Sequence, residues 1–363
     1  MQTVMTILGT RPEIIRLSKI MPLLDKHCNH IIVNTMQNYD YKLNDVFFEE
    51  LRLRKPDVQL DTKSNSFGEQ IGVMFREIEI AFKKYEPDSV LILGDTNSGL
   101  CAIVAERMGI PVYHMEAGNR CFDNSVPEEV NRKAIDAISS YNLPYVNGSR
   151  ENLLAEGVDK RRIFLCGNPI AEVLEDYRYK IKAKESVIME SLEIKKHEYF
   201  LATFHRAETV DVKARLITLL QGLKRIGEKN SLPVICSVHP RTRARLDGLK
   251  LDLGKFIKLS EPFGFFDFVC LERNAKCILT DSGTVSEEAC LMNVPCVIVR
   301  DVTERPELIR CGSAMLSGVH VKGIEDCTKL MQGRSRWYPP SGYACDDVSQ
   351  KVVQFILGGN HEK

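Results

Sequence analysis

Short apolar runs rich in β-branched residues alternate along this chain with longer stretches in which apolar positions recur every three or four residues. Residues 3–8, 30–34, 89–93 and 112–115 are each continuous enough to be a strand buried on both faces. Between them Phe67, Ile71, Met74, Phe75, Ile78 and Phe82 fall at helical spacing, which predicts a helix with this stripe in the core, stopped by Glu86-Pro87. Strand-like runs restart at 199–204, 233–238, 276–280 and 295–299, separated by helical patterns such as 216–226. Strands spaced by helix-length segments predict parallel α/β architecture, arranged as two successive Rossmann-like lobes.

The first lobe is expected to close near Leu165-Cys166-Gly167-Asn168-Pro169, giving it residues 1–168. A charged stretch from Tyr177 to His197, poor in strand signals, reads as the linker region, within a second lobe spanning 169–346. A last helical pattern, 348–357, follows a loop rich in Pro, Gly, Ser and Tyr, and residues 347–363 are read as a helix returning to the first lobe. The length of 363 residues exceeds what one hydrophobic core usually fills, in keeping with two domains.

Composition narrows the chemistry. The 49 basic and 49 acidic side chains cancel, so nothing favours nucleic acid as a partner. No apolar run approaches the roughly 20 residues that span a bilayer, and a strand begins within three residues of Met1, so no membrane association and a cytoplasmic location are expected. The twelve cysteines are scattered singly, without a Cys-x-x-Cys pair, and read as small core residues rather than zinc ligands or disulfides. No Gly-x-Gly-x-x-Gly follows the first strand and no Gly-x-x-x-x-Gly-Lys-Ser/Thr occurs, which argues against a dinucleotide cofactor or a P-loop triphosphate.

What remains is a set of turns at strand ends. Gly9-Thr10-Arg11-Pro12-Glu13 places a guanidinium beside a helix start, where it grips a phosphate or merely completes a cap. Asp281-Ser282-Gly283-Thr284 follows a strand and opens a helix, so its amides either hold a diphosphate or are capped by Asp281 and Ser282. Glu288, one turn in, is placed for ribose hydroxyls or for the helix dipole. Asp95 and Glu116 end strands expected to be parallel, and Glu128 follows Val126-Pro127; each fits a helix cap or an acid/base group. His205-Arg206 and His239-Pro240-Arg241 put positive charge at two strand ends of the second lobe, a pattern suited to phosphate.

Taken together these segments resemble the non-hydrolysing UDP-N-acetylglucosamine 2-epimerase family from about Met5 to Leu357. The motifs occur in the family's order: GTRPE at 9–13, GDTNS at 94–98, HMEAGNR at 114–120, PEEVNR at 127–132, DSGTVSEE at 281–288 and RDVTERPE at 300–307. The resemblance implies a glycosyltransferase-B-like fold with an interlobe active-site cleft, UDP gripped by the second lobe, and neither metal nor redox cofactor. It implies that Asp95, Glu116 and Glu128 are the catalytic acids and bases, that Arg11 and His205 contact the diphosphate or leaving group, and that Ser282, Gly283 and Thr284 bind phosphate. Glu288 would hold ribose and Phe268 would meet uracil, with Arg16, His239 and Arg241 as further substrate contacts. A homodimer is expected.

Departures sharpen the comparison. Many members acting on UDP-GlcNAc carry Gln-His-Arg-Gln in an activator site where this chain reads Gln37-Asn38-Tyr39-Asp40, and the usual lysine of the first helix is Arg16. Segments 37–41, 119–123 and 262–268 look like the capsule and O-antigen subgroup that makes UDP-N-acetyl-L-fucosamine from UDP-2-acetamido-2,6-dideoxy-L-talose. The rival readings are epimerisation of UDP-GlcNAc and UDP-ManNAc, a glycosyltransferase of the same fold, and a non-catalytic nucleotide-sugar sensor.

Overall fold

The computed structural model describes residues 1–36, 45–64, 66–238, 240–246, 248–249 and 251–358. The chain forms two compact units, Met1–Glu175 with Ser341–Lys363, and Asp176–Pro340.

In the N-terminal unit β1 (Thr3–Leu8), β2 (Asn29–Asn34), β3 (Val58–Gln59), β4 (Ser89–Leu93), β5 (Val112–Met115) and β6 (Tyr141–Leu143) pair in parallel in the order β3-β2-β1-β4-β5-β6. Chain progression reverses between β1 and β4, the kind of switch point at which open α/β sheets bind ligands. The helix Phe67–Tyr85 starts on Ser66, whose Oγ accepts the Glu69 amide at 3.2 Å, and ends on Glu86 in a left-handed conformation. Of its apolar stripe, Met74, Ile78 and Phe82 enter the core, whereas Ile71 and Phe75 are half-buried and Phe67 is 60% exposed. The first turn of this helix therefore overhangs the core that the spacing assigned to it.

The helix Val348–Gly358 belongs to this unit: it packs on the helix Ile20–His27, and its Phe355 ring lies 4.2 Å from that of Phe164, centroid to centroid. The unit extends to Glu175 rather than 168, because Ile170 and Val173 are fully buried and Glu172 accepts the amide and hydroxyl of Ser349 at 2.9 and 3.0 Å. The return begins at Ser341 rather than 347, where Gly342 accepts the Asn168 amide at 2.7 Å.

The C-terminal unit repeats the plan. Strands β7 (Phe200–Phe204), β8 (Val234–Val238), β9 (Ile257–Ser260), β10 (Cys277–Thr280), β11 (Cys296–Ile298) and β12 (Ala314–Leu316) pair in parallel in the order β12-β11-β10-β7-β8-β9, with its switch point between β7 and β10. Residues 177–197 are not a bare linker: they include the helices Arg178–Ala183 and Glu185–Ser191, which bury Ile181, Ile188 and Met189 and pack on the helix Phe265–Asn274. Their apolar residues are too sparse to announce helices by period alone, and tertiary packing completes them.

Among the described residues no helix is long and apolar enough to cross a membrane. The cysteines are free thiols, all buried except the half-buried Cys311 and Cys345.

Candidate active site

The N-terminal unit gathers its candidate residues at the carboxyl ends of three neighbouring strands. Gly9 follows β1, Asp95 follows β4 by two residues, and Glu116 follows β5 directly. The Gly94 amide donates to Met115 O at 3.0 Å, so the Asp95 and Glu116 turns lie side by side.

Each of these carboxylates has a guanidinium partner. Arg16, buried on the helix Arg11–Leu17, pairs with Glu116, and its guanidinium also lies 5.9 Å from the Tyr145 ring centroid. Arg132 donates its Nε to Asp95 Oδ2 at 2.9 Å and Nη1 to the buried Glu129 at 2.7 Å. Such fork geometry fixes a carboxylate's direction in a way that a lysine does not. Glu128 is half-buried in the first turn of the helix Pro127–Ile138. Asn131 and Arg132, three and four residues on, both reach the Asp95 loop, which places Glu128 on the helix face that meets it.

The residue next to Glu128 behaves differently. Burial pushes the Glu129 carboxyl up, but the Cys121 and Phe122 amides and the Arg132 guanidinium outweigh it, holding the group below its ordinary value. Glu129 thus anchors the 119–126 loop. The turn after β1 is held by Glu13, whose carboxylate accepts the amides of Gly9 at 2.5 Å and Thr10 at 2.9 Å and the Thr96 hydroxyl at 2.6 Å. Complete burial raises its pKa from 4.5 to about 7 despite these bonds. Arg11 opens the helix that follows, its guanidinium 5.6 Å from the Phe47 ring centroid.

In the C-terminal unit the organising group is the buried Asp281 after β10. Its carboxylate accepts the amides of His205 at 3.0 Å and Arg206 at 2.9 Å from the end of β7, and lies 3.4 Å from His205 Nδ1. Burial raises the Asp281 pKa, against the pull of these amides and of the Arg206 charge. Ser282 caps the helix Gly283–Leu291. A Cβ on Gly283 would stand 2.9 Å from Glu304 Oε1, so glycine lets the helix start sit against that side chain. Around it Arg300 pairs with Glu304 at 2.7 Å, Arg206 lies 3.5 Å from Glu304, and Arg305 pairs with Glu287.

Thr284 is half-buried at the same helix start, and Glu288 is buried one turn in. Phe268 is buried within the helix Phe265–Asn274. Arg241 lies in the helix Pro240–Leu246, whereas His239 and segment 37–41 fall outside the described residues. Neither Arg132 nor Asp281 is among the site residues expected from the sequence. The signals were present: Arg132 stands four residues after Glu128, and Asp281 opens the second phosphate-type turn. Among the described residues no three His, Cys, Asp or Glu side chains gather as metal ligands.

The paired six-stranded sheets define a two-lobe α/β protein of glycosyltransferase-B-like fold. The sequence model of the UDP-N-acetylglucosamine 2-epimerase family matches residues 24–357. A UDP-N-acetylglucosamine 2-epimerase of Methanocaldococcus jannaschii is 42% identical over 98% of this chain and 99% of its own. A UDP-2,3-diacetamido-2,3-dideoxy-D-glucuronate 2-epimerase of Pseudomonas aeruginosa is 32% identical over 97% and 99%. The crystal structure of the M. jannaschii UDP-GlcNAc 2-epimerase in complex with UDP-GlcNAc and UDP superposes with a TM-score of 0.92, at 39% identity over 99% of this chain and 100% of that one. The chain belongs to the UDP-N-acetylglucosamine 2-epimerase family, a family of isomerases.

Proposed function

We propose that the protein is a non-hydrolysing UDP-N-acetylhexosamine 2-epimerase that inverts C2 by eliminating UDP and adding it back through a glycal. The observation that carries this reading is the meeting of Asp95 and Glu116 at adjacent strand ends, each turned by a buried arginine, beside the helix face bearing Glu128. C2 of the sugar has no neighbouring carbonyl, so simple deprotonation there is too slow. Departure of UDP from C1 solves this. The C2–H electron pair forms the C1–C2 double bond, the C1–O pair leaves with the diphosphate, and the proton passes to a carboxylate. Return of UDP, with a proton delivered to the opposite face, inverts the centre.

Proton transfer by a placed carboxylate is worth roughly 10²- to 10⁴-fold. Asp95, Glu116 and Glu128 take the acid and base roles, and Arg16 and Arg132 orient the first two of their partners, Glu116 and Asp95. Arg11 and His205 stabilise the departing diphosphate, aided by Arg241 and His239. The amides at Ser282, Gly283 and Thr284 hold it on the helix dipole, Glu288 accepts from the ribose, and Phe268 lies against uracil.

The finer reading is UDP-2-acetamido-2,6-dideoxy-L-talose converted to UDP-N-acetyl-L-fucosamine, by a cytoplasmic homodimer that supplies capsule or lipopolysaccharide assembly. Its support is the likeness of segments 37–41, 119–123 and 262–268 to that subgroup. The 42% identity with the M. jannaschii enzyme favours a second reading, UDP-GlcNAc and UDP-ManNAc. Turnover in D2O followed by NMR tests the mechanism: deuterium is expected at C2, and full retention of the original proton overturns elimination. Side-by-side kinetics tests the sugar. A higher kcat/KM for UDP-GlcNAc than for the L-talose compound assigns the protein to the second reading.

A further inference from the structure

We propose that His114, braced by Asp136, is a positioning residue that sets the Asp95 and Glu116 turns for proton transfer. The inference rests on the epimerase reading and adds a layer of side chains beneath the carboxylates. His114 lies on β5, two residues before Glu116, and is 1% exposed. Its Nε2 is 2.9 Å from the carbonyl oxygen of Gly94; a carbonyl only accepts, so this nitrogen donates. Gly94 is the residue immediately before Asp95.

The other ring nitrogen, Nδ1, stands 2.8 Å from Asp136 Oδ1, an ion-pair contact without hydrogen-bond geometry. Asp136 is also 1% exposed, and its Oδ2 accepts the Gly118 amide at 3.0 Å and lies 2.7 Å from Arg120 Nη1. Arg120, fully buried, donates in turn to Glu156 at 2.8 Å and to Asn119 O at 2.7 Å. A continuous path of side chains therefore begins one residue before Asp95 and ends two residues after Glu116.

The backbone between those ends is strained. Glu116 holds a left-handed φ of 69°, unusual for a residue with a side chain. Gly118 follows at φ 80°, where a Cβ would run into the carbonyl of Ser149. Such conformations persist where the surroundings over-determine them and cluster at functional sites. Here the Glu116 amide donates to Leu143 O at 3.1 Å, the Gly118 carbonyl accepts from Asn152 at 2.9 Å, and Asp136 holds the Gly118 amide. His114 links this strained turn to the Asp95 turn by a side chain from within the Glu116 strand. Neither His114 nor Asp136 is open to solvent, so each acts through the turns it holds.

Two near-isosteres separate the two contacts of the ring. His114→Gln keeps a donor near the Nε2 position, toward Gly94; His114→Asn keeps only a polar group near Nδ1, beside Asp136, and loses Gly94. With the UDP-sugar that the wild type inverts, His114→Asn is expected to lose kcat by about 10²-fold, as roughly 1 Å misplacements do. His114→Gln is expected to stay within about tenfold of wild type, with KM and calorimetric UDP affinity unchanged in both and matched thermal midpoints. Equal losses in both variants, or losses that track their thermal midpoints, overturn the inference. Asp136→Asn is the second variant, because its amide oxygen still accepts from Gly118; it should lose kcat about tenfold at constant KM, and an unchanged kcat overturns the proposal even if the His114 variants do not fold. A wild type that inverts no UDP-N-acetylhexosamine overturns the epimerase reading and this inference together, whereas an active wild type with indistinguishable variants overturns this inference alone.

Discussion

The two units share one strand order and use its ligand edge in opposite ways. In the N-terminal unit, side-chain carboxylates stand at the strand ends and arginines turn them. In the C-terminal unit, a buried carboxylate, Asp281, gathers main-chain amides, while Arg206, Arg300 and Arg305 surround the helix start with cationic groups matched by Glu304 and Glu287. The fold supplies the edge in both units; on the epimerase reading proposed above, the residues placed there would make one suited to moving protons and the other to holding an anion.

The strongest attempt to break this contrast removes charge from the carboxylates. Asp95→Asn, Glu116→Gln and Glu128→Gln are each expected to cut turnover by about 10²- to 10⁴-fold, with UDP affinity by calorimetry within severalfold. Glu288→Gln is expected instead to weaken UDP binding, and if the three carboxylate variants lost UDP binding alike, the two edges would not differ in role.

Arg132→Met leaves Asp95 and the buried Glu129 without their shared cation. Removing one partner of a buried pair costs about 3–5 kcal/mol, which denaturant unfolding should register. A stability change below about 1 kcal/mol would show that the pair contributes no more than an exposed ion pair does.

Glu13 sharpens the comparison through pH. Its folded pKa, about 7, lies above the ordinary 4.5, so the native state binds the proton more tightly than the unfolded chain. Its favourable contribution is complete below pH 4.5 and is lost as pH rises to 7, a change of up to about 3 kcal/mol. Glu13→Gln should flatten the stability profile across that window, because the amide oxygen still accepts from Gly9 and Thr10. A wild-type stability that rises from pH 4.5 to 7 in parallel with the variant would contradict the assignment.

On the other edge, Gly283→Ala brings a methyl group to 2.9 Å from Glu304 Oε1. The expected result is a loss of UDP affinity of about 1–2 kcal/mol, near tenfold, with kcat retained at saturation. The smallest effect is expected from chelators, which should leave activity unchanged because no metal-ligand cluster occurs among the described residues; loss restored by a divalent ion would reverse that expectation.

The strands legible from apolar runs were the interior ones of both sheets. Those that escaped, β3, β6, β9 and β12, are the four edges. An edge strand is short and half exposed, as Val58–Gln59 is, so it carries too few consecutive apolar residues to stand out. The site shows a similar division. Asp95, Glu116 and Glu128 were legible because each ends a strand or opens a helix. Their pairings were not: Arg132 lies 37 positions from Asp95, and Arg16, expected as a substrate contact, lies 100 from the Glu116 it pairs with, separations that only the folded sheet closes. Residues 177–197 misled for the converse reason: their helices depend on packing rather than on their own periodicity.

The return of the helix Val348–Gly358 to the N-terminal unit sets an order of assembly during synthesis. Residues 176–340 form their own compact unit and are translated before this helix exists. Until it emerges, Tyr113, Tyr141 and Phe164 lack Phe355, the ring against which all three pack. Of the two units, the one that starts earlier in the chain is thus completed later, and a chain stopped before Ser341 presents an aromatic surface that Phe355 partly covers in the finished protein.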